Sequence, residues 1–204
     1  FAKAHDIFVI CDDVYTSLVY EGVYKSDEGM HLGFASCYGE LRDRIIVCDS
    51  FSKPYAMTGW RLGWVAADAP ISAQIAKMHQ YMVSSFPSFV QRAAIRALKE
   101  DVAPAREVYR GRRDYVFARL REIGFDVVEP DGAFYVFPSI EKFGMSSDEF
   151  CTRLIAEKGV ALVPGSCFAA EGFVRLSYCC SMENLEEGLN RLAAFVQTLE
   201  QHSV

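Results

Sequence analysis

Long apolar runs are missing from this 204-residue chain, although 51% of its residues are hydrophobic. A membrane-spanning helix needs about 20 consecutive apolar residues, and the longest runs here fall well short of that length. The chain also lacks a basic stripe and carries a formal net charge of -6, which repels the phosphate backbone of nucleic acids. We therefore expect no membrane span, no nucleic-acid partner and, since no signal peptide precedes Phe1, a cytoplasmic location.

Metal and disulfide motifs are missing as well. The seven cysteines are odd in number and show no Cys-x-x-Cys spacing, so the sequence indicates neither a disulfide framework nor a zinc site. The four histidines are scattered, and we predict that none of them is a metal ligand. A Gly-x-Gly-x-x-Gly after a strand is also missing, which argues against a dinucleotide-binding domain.

Predicted strands and helices alternate along the chain, which is typical of an α/β fold. Apolar patterns predict strands over residues 7–11, 45–48, 60–67, 125–128, 133–137, 160–163 and 174–178. They predict helices over residues 71–82, 88–98, 104–123, 147–158 and 184–199, with Ser88 as an N-cap. No flexible linker is visible, so we place a boundary inside the longest helix, between domains of residues 1–114 and 115–204.

The most informative segment is Ser50-Phe-Ser-Lys53-Pro-Tyr-Ala-Met-Thr-Gly-Trp-Arg61-Leu-Gly, which is rich in turn residues and lies between two apolar runs. The amine of Lys53 is a nucleophile that can condense with an aldehyde. The guanidinium of Arg61 is a planar donor fork that matches phosphate geometry, and Ser50 adds a hydroxyl. Together these residues predict a site for a phosphorylated aldehyde.

A second group of polar residues follows the first predicted strand. The apolar run Ile7-Phe-Val-Ile-Cys11, which we expect to be buried on both faces, leads directly into Asp12-Asp13-Val14-Tyr15. The run of residues 45–48 leads in the same way into Ser50 and Lys53. Ligands of open α/β sheets bind at the carboxyl ends of the strands, so we expect both groups to lie at one edge of the sheet.

These segments resemble the class I and II aminotransferases, the fold-type-I enzymes that use pyridoxal 5'-phosphate. The resemblance implies that Lys53 is the catalytic lysine, which forms a Schiff base with the cofactor and then moves a proton at the substrate α-carbon. It implies that Asp12 pairs with the pyridine nitrogen and that Tyr15 donates to the phenolic oxygen. Ser50 and Arg61 would contact the cofactor phosphate.

A third segment near the end of the chain is also similar to this family. Pro164-Gly165-Ser-Cys-Phe is followed by Gly172-Phe-Val-Arg175-Leu-Ser-Tyr, and the corresponding arginine of the family binds the α-carboxylate of the amino acid. Arg175 is the candidate for that role, since a bidentate guanidinium fixes both the position and the plane of a carboxylate. Gly132-Ala-Phe-Tyr-Val-Phe-Pro138 resembles a further strand of the family, which we interpret as structural.

The resemblance covers the carboxyl-terminal half of the family's enzymes. It implies the end of the large domain, a three-layer αβα sheet, followed by an α+β small domain. It also implies a homodimer when full length, with an α-amino acid and a 2-oxo acid as substrates. If residues 1–204 were the whole molecule, open strand edges, weak cofactor binding and little turnover would be expected.

Three functional hypotheses follow from these residues. The first is an aminotransferase, and Ala-Met-Thr-Gly-Trp-Arg is most like aspartate and broad-specificity aminotransferases. The second is another enzyme on the same scaffold, a carbon-sulfur β-lyase or an aminocyclopropane-carboxylate synthase-like enzyme. The third is a non-enzymatic aminotransferase-like regulator domain, or an inactive truncated chain. The amino-acid donor and the oxo-acid acceptor stay open.

Overall fold

A computed structural model describes residues 1–20 and 38–201 and divides the chain within one long helix. The first unit is Phe1–Arg106 and the second is Glu107–Val204. Each unit contains one sheet of three strands, so the fold class is α/β. The division falls in the same helix as the boundary predicted between residues 114 and 115, and the assignment of a large and a small domain to residues 1–114 and 115–204 stays a prediction.

The sheet of the first unit has the order β1-β2-β3. Strands β1 (Val9–Asp12) and β2 (Ile45–Ser50) are parallel, and β3 (Gly63–Ala67) pairs antiparallel with β2. The three strands predicted in this part of the chain therefore exist and lie side by side. A parallel connection between β1 and β2 places their carboxyl ends at the same edge of the sheet.

Helices follow each part of this sheet. Their bounds are α1 (Tyr38–Leu41), α2 (Ala69–Met82), α3 (Ser88–Ala97) and α4 (Ala103–Ile123), the last of which crosses into the second unit. The prediction of Ser88 as an N-cap is wrong, because Pro87 occupies the cap with φ -57° and ψ 132° and Ser88 is the first helical residue. The proline ring fixes φ and the extended ψ keeps Pro87 outside the helix.

Two apolar clusters form the core of the first unit. Cys11, Ile45 and Val47 pack together on one face of β1 and β2. In the other cluster, three residues of the segment after β2 pack against three residues of α3. The cluster consists of Phe51, Met57 and Leu62 from the segment and Val90, Ala94 and Ala97 from the helix. The prediction that the first strand is buried on both faces is wrong, because Ile10 is 70% exposed. No other element of the described residues covers that side chain.

The second unit contains a short antiparallel sheet and two further helices. The strands are β4 (Tyr135–Val136), β5 (Val163–Pro164) and β6 (Val174–Ser177), in the order β4-β6-β5. Helix α5 (Ser147–Lys158) confirms the predicted bounds, and α6 is Met182–Gln201. Fully buried Phe150 and Phe195, whose rings meet edge to face at 5.2 Å, join α5 to α6.

Some strands of the second unit are shorter than their apolar runs predict. Residues 125–128 form no strand and contribute a single bridge, Asp126 to Ser139. The predicted strand over 133–137 contains only Tyr135–Val136, and the one over 160–163 is reduced to Val163–Pro164. Pro164 is itself the last residue of β5 and pairs with Val174, and Pro138 lies two residues beyond β4.

No helix of the described residues is long and apolar enough to cross a membrane.

The carboxylate of Glu171 is hydrogen-bonded to the first residue of α5. Glu171 accepts from the backbone N–H of Ser147 at 2.6 Å and from its hydroxyl at 2.9 Å. The Ser147 hydroxyl, which is fully buried, also accepts from the N–H of Ser166 at 3.2 Å. The two bonds from Ser147 lower the pKa of the Glu171 carboxyl below its ordinary value.

We expect the second unit to become less stable in acid through Glu171. Because the folded state lowers the pKa of Glu171, its contribution to stability is complete above the ordinary pKa of a glutamate and is lost as pH falls through the folded value. Glu171→Gln keeps the shape and an acceptor but removes the charge. It should lower the denaturation midpoint at pH 7 and flatten the loss of stability below about pH 4.5, as measured by urea denaturation across pH.

Glu186→Gln on α6 is the matched control, because Glu186 is exposed and lies outside this group. If the two substitutions changed the denaturation midpoint at pH 7 equally, the stabilising role assigned to the Glu171 carboxylate would be wrong.

Candidate active site

The carboxyl ends of β1 and β2 bring the first two predicted groups together. Asp12 pairs in register with Cys48, and the N–H of Asp13 donates to the carbonyl of Cys48 at 2.9 Å. Ser50 is the last residue of β2, two positions after Cys48. Asp12 and Ser50 therefore stand at one edge of the sheet, as the apolar runs predict.

Negative charge is concentrated at this edge. Burial and the neighbouring Asp12 raise the pKa of the Asp13 carboxyl. Burial also raises the pKa of Asp49, with further contributions from Asp13 and Asp12, although the N–H of Ser50 at 2.6 Å from Asp49 Oδ1 acts in the opposite direction. The Cys48 thiol has a raised pKa through burial and these carboxylates. A cationic group bound here would relieve their mutual repulsion.

The loop after β2 carries Lys53 between two packed anchors. On one side the buried Phe51 donates its N–H to the carbonyl of Leu62 at 3.1 Å and stacks on Tyr55 at 5.6 Å between ring centroids. On the other side Pro54 is buried. The N–H of Ser52 donates to the Ser50 hydroxyl at 3.3 Å, which closes the turn. The backbone at Lys53 is thus held by its neighbours.

The side chain of Lys53 meets Tyr15. Its Nζ lies 5.6 Å from the centroid of the Tyr15 ring, and both residues are partly buried. Tyr15 follows Asp12 by three residues, so this contact joins the loop after β2 to the loop after β1. The two sequence groups are brought together by side chains as well as by strand pairing.

Arg61 lies near the end of the same loop, just before β3. It follows a 3₁₀ turn, Thr58–Trp60, and adopts a left-handed conformation with φ 53° and ψ 42°. Its Nη1 donates to the carbonyl of Thr58 at 2.9 Å, and the side chain is exposed. Gly63 then pairs with Ser50, so Arg61 stands two residues from the partner of Ser50.

Glycine is required at the start of β3. A Cβ added to Gly63 would stand 2.8 Å from the backbone carbonyl oxygen of Asp49. That distance is shorter than side-chain carbons tolerate, so the close approach of β3 to the end of β2 depends on this residue.

Arg175 belongs to the second unit, where two aromatic rings hold it. It lies on β6, and its Cζ is 4.5 Å from the centroid of the Tyr135 ring and 4.4 Å from that of Phe168. Contact with the faces of two rings restricts the guanidinium and leaves N–H groups for an acceptor. No carboxylate within the part of the chain that the structure describes forms an ion pair with it.

The structure adds residues to those that the sequence motifs indicate. Asp13 and Asp49 contribute charge at the strand ends, and Tyr135 and Phe168 orient Arg175. Asp13, Tyr135 and Phe168 lie inside the quoted motifs and Asp49 directly precedes one, but their roles depend on contacts that adjacency in sequence does not reveal. Residues 1–20 and 38–201 contain no group of three or more histidine, cysteine, aspartate or glutamate side chains arranged to hold a metal ion.

Comparison with known proteins identifies the family to which this chain is similar. The family described as aminotransferase class I and II matches residues 1–192. A probable N-acetyl-LL-diaminopimelate aminotransferase of Bacillus subtilis is 46% identical over 199 residues, which are 95% of this chain and 48% of that protein. An aspartate aminotransferase of Pyrococcus abyssi is 42% identical over 199 residues, 94% of this chain and 49% of that protein.

Solved structures give the same result. The crystal structure of an aromatic aminotransferase from Pyrococcus horikoshii superposes with a TM-score of 0.90 and 39% identity, over 98% of this chain and 54% of that one. The chain spans about half the length of the curated relatives that it matches, as the resemblance to a carboxyl-terminal half predicts. With both its sequence and its fold shared in this way, the chain belongs to the class I and II aminotransferases, on the fold-type-I scaffold.

Proposed function

We propose that the complete protein is a pyridoxal 5'-phosphate-dependent aminotransferase, which moves an amino group between an α-amino acid and a 2-oxo acid. The observation that carries this proposal is the placement of Lys53 Nζ over the ring of Tyr15, at the edge where β1 delivers Asp12. A nucleophilic amine and a phenol from two separate loops thereby meet at the strand edge that also carries a carboxylate.

The residues present fit this cofactor. Lys53 would hold it covalently through Nζ, and the repelling carboxylates around Asp12 favour a protonated, cationic ring nitrogen beside them. Tyr15 would donate to the phenolic oxygen, and Ser50 with Arg61 would bind the phosphate. Pyridoxal phosphate bound there supplies a sink for the electron pair left when a bond to the substrate α-carbon breaks.

Substrate binding and proton transfer would be carried out by side chains of this chain. Arg175, which contacts the rings of Tyr135 and Phe168, would bind the α-carboxylate and so align the α-hydrogen for removal. Lys53 would take that proton at Nζ and return it to the other reacting carbon, as a general base and then a general acid. Anchoring of its loop by Phe51 limits the positions that Nζ can reach.

Transamination is favoured over the alternatives. The relatives at 46% and 42% identity carry aminotransferase names, which supports that reaction over a carbon-sulfur β-lyase, an aminocyclopropane-carboxylate synthase-like enzyme or a regulator domain. These relatives are named for different amino acids, so the donor and the acceptor stay open.

A homodimer is also part of the proposal. Large apolar side chains stand exposed near the end of α2 and the start of α3, namely Met78 at 61%, Tyr81 at 84%, Met82 at 76% and Phe89 at 68%. Exposed apolar groups of this kind support a protein interface, and a second copy is the partner we propose. The cytoplasmic location stays a prediction from the sequence.

Incubation of the complete protein with amino acids tests the reaction. Glutamate, or another α-amino acid, supplied with a 2-oxo acid should give the corresponding oxo acid, for example 2-oxoglutarate from glutamate. Release of pyruvate and sulfide from cysteine, without amino transfer to any 2-oxo acid, would instead favour the lyase.

Lys53→Ala should abolish covalent attachment of the cofactor, because no other amine is expected to take that position. Borohydride reduction followed by peptide mass spectrometry locates the attachment, and kcat should fall by about 10²- to 10⁴-fold. Lys77→Ala is the matched control, since Lys77 is an exposed lysine on α2. Attachment at the same peptide in Lys53→Ala would overturn the assignment.

Arg175→Lys should raise KM for the amino acid by about 10- to 100-fold, since a lysine keeps the charge but loses the bidentate fork. Arg96→Lys, at an exposed arginine paired with Glu100 on α3, controls for the substitution itself. Steady-state kinetics separate KM from kcat. An unchanged KM in Arg175→Lys would exclude Arg175 as the carboxylate-binding residue.

A further inference from the structure

A short 3₁₀ turn, Gly165–Phe168, lies between β5 and β6 and is hydrogen-bonded to the start of α5. The N–H of Ser166 donates to the Ser147 hydroxyl at 3.2 Å. The hydroxyl of Ser166 donates to Asp148 Oδ2 at 2.7 Å. Since Ser147 and Asp148 are the first two residues of α5, the helix anchors this turn through both bonds.

The hydroxyl of Ser147 joins three segments of the second unit. Ser147 is fully buried, and an unpaired hydroxyl in such a place would cost free energy. The hydroxyl donates to Glu171 Oε2 at 2.9 Å and accepts from the N–H of Ser166. A hydroxyl that donates and accepts at once fixes α5, the turn and the segment before β6 relative to one another.

Helix capping by itself does not account for this hydroxyl. Ser146 is the N-cap of α5, and its side chain accepts from the N–H of Glu149 at 3.2 Å. The Ser147 hydroxyl follows the cap and bonds to Glu171 and Ser166, which lie outside the helix. Its role is therefore in the contact between α5 and the segment around the turn.

The ring at the end of the turn is packed from another direction. Phe168 lies edge to face with Phe137 at 6.0 Å between ring centroids, and Phe137 stacks on Phe173 at 5.3 Å with 7° between the ring planes. The N–H of Gly165 donates to the carbonyl of Phe173 at 2.9 Å. A Cβ on Gly165 would stand 2.1 Å from the carbonyl oxygen of Ala170, so the turn is tightly packed.

This ring is one of the contacts of Arg175. The Cζ of Arg175 lies 4.4 Å from the centroid of the Phe168 ring. The face of an aromatic ring attracts a guanidinium, so a shift of the ring changes the position in which the guanidinium is most stable. Ser166 is only two residues before Phe168, so a shift of the anchored residue reaches the ring directly.

We propose that Ser147 is a positioning residue for the arginine that binds the substrate carboxylate. By anchoring the turn it keeps the ring of Phe168 against Arg175, which raises the affinity for the α-carboxylate of the amino acid. Asp148 is the second anchor and acts through Ser166. The inference rests on the proposed function, which assigns the α-carboxylate to Arg175. It adds the start of α5, which touches no substrate atom, to the determinants of substrate binding.

Ser147→Ala removes the acceptor of the Ser166 N–H and tests the first anchor. In the complete protein, KM for the amino acid should rise about three- to tenfold, the effect of one lost hydrogen bond. The value of kcat should stay nearly constant, because carboxylate binding is shared by the ground state and the transition state. Hydrogen exchange of the amides of residues 166–170, followed by mass spectrometry, should become faster.

A pair of substitutions at Asp148 tests the second anchor. Asp148→Ala and Asp148→Asn both remove the charge at the start of α5, but only the asparagine keeps an acceptor for the Ser166 hydroxyl. Asp148→Ala should raise KM, and Asp148→Asn should bring it back close to the value of the unsubstituted protein. If circular dichroism shows that Ser147→Ala does not fold, this pair decides.

A double substitution shows whether Ser147 acts through the ring. Added to Phe168→Leu, Ser147→Ala should raise KM no further, since the contact that it supports is already lost. Thr198→Ala is the matched control, because it removes a half-buried hydroxyl on α6 that donates to the carbonyl of Phe195 at 2.6 Å. It should leave KM unchanged, even where it lowers the stability of the second unit.

The outcomes separate this inference from the proposed function. Unchanged KM or unchanged amide exchange in Ser147→Ala, equal KM in the two Asp148 variants, or additive effects of Ser147→Ala and Phe168→Leu would overturn the inference. Absence of transamination by the unsubstituted protein would count against the proposed function. In that case the dissociation constant of the amino acid, measured by calorimetry, replaces KM, and the same comparison of variants decides.

Discussion

Parallel pairing of β1 with β2 is the constraint on which the rest of the candidate site depends. Parallel strands end at the same edge, so residues 36 positions apart in sequence, Asp12 and Cys48, become direct neighbours. The loops that leave this edge carry Tyr15 and Lys53, which then meet at 5.6 Å. Because the same pairing concentrates three carboxylates, the edge also acquires its preference for a cation.

Packing of the loop after β2 turns this edge into a defined position for a nucleophile. Phe51, Met57 and Leu62 insert into the cluster formed with α3, so the segment that contains Lys53 is fastened at both ends by apolar burial. Gly63 lets β3 approach the end of β2 closely, so that Ser50 pairs with the residue two positions after Arg61. The flexible side chain of Lys53 is therefore attached to a backbone whose conformation is restricted by its packed neighbours.

The side chain of Arg175 is positioned in a different way from that of Lys53. Its guanidinium is oriented by the faces of two aromatic rings and not by an ion pair. A paired carboxylate would compete with a substrate for the donor fork, whereas contact with the ring faces restricts the guanidinium and leaves N–H groups available. Contacts with aromatic rings are common to the two candidate sites, since Lys53 lies over the ring of Tyr15 and Arg175 lies over the rings of Tyr135 and Phe168.

Local patterns predicted the long elements well because helical periodicity is carried by neighbouring residues. The bounds of α5 were predicted in full, and α2, α3 and α4 within two residues. The short strands of the second unit were predicted too long, since the extent of a strand depends on which partner is available in the folded chain. Likewise, an apolar run predicted a buried strand, and only the layers around it decide whether Ile10 is covered.

The sequence by itself determined the α/β class, the membership in the aminotransferase family and the residue types available for chemistry, because motifs and periodicity are local properties of the chain. Tertiary structure alone decided that Lys53 meets Tyr15, that burial, Asp13 and Asp12 raise the pKa of Asp49, and that Tyr135 and Phe168 contact Arg175. Those are contacts between residues distant in sequence, and strand register and packing set their distances.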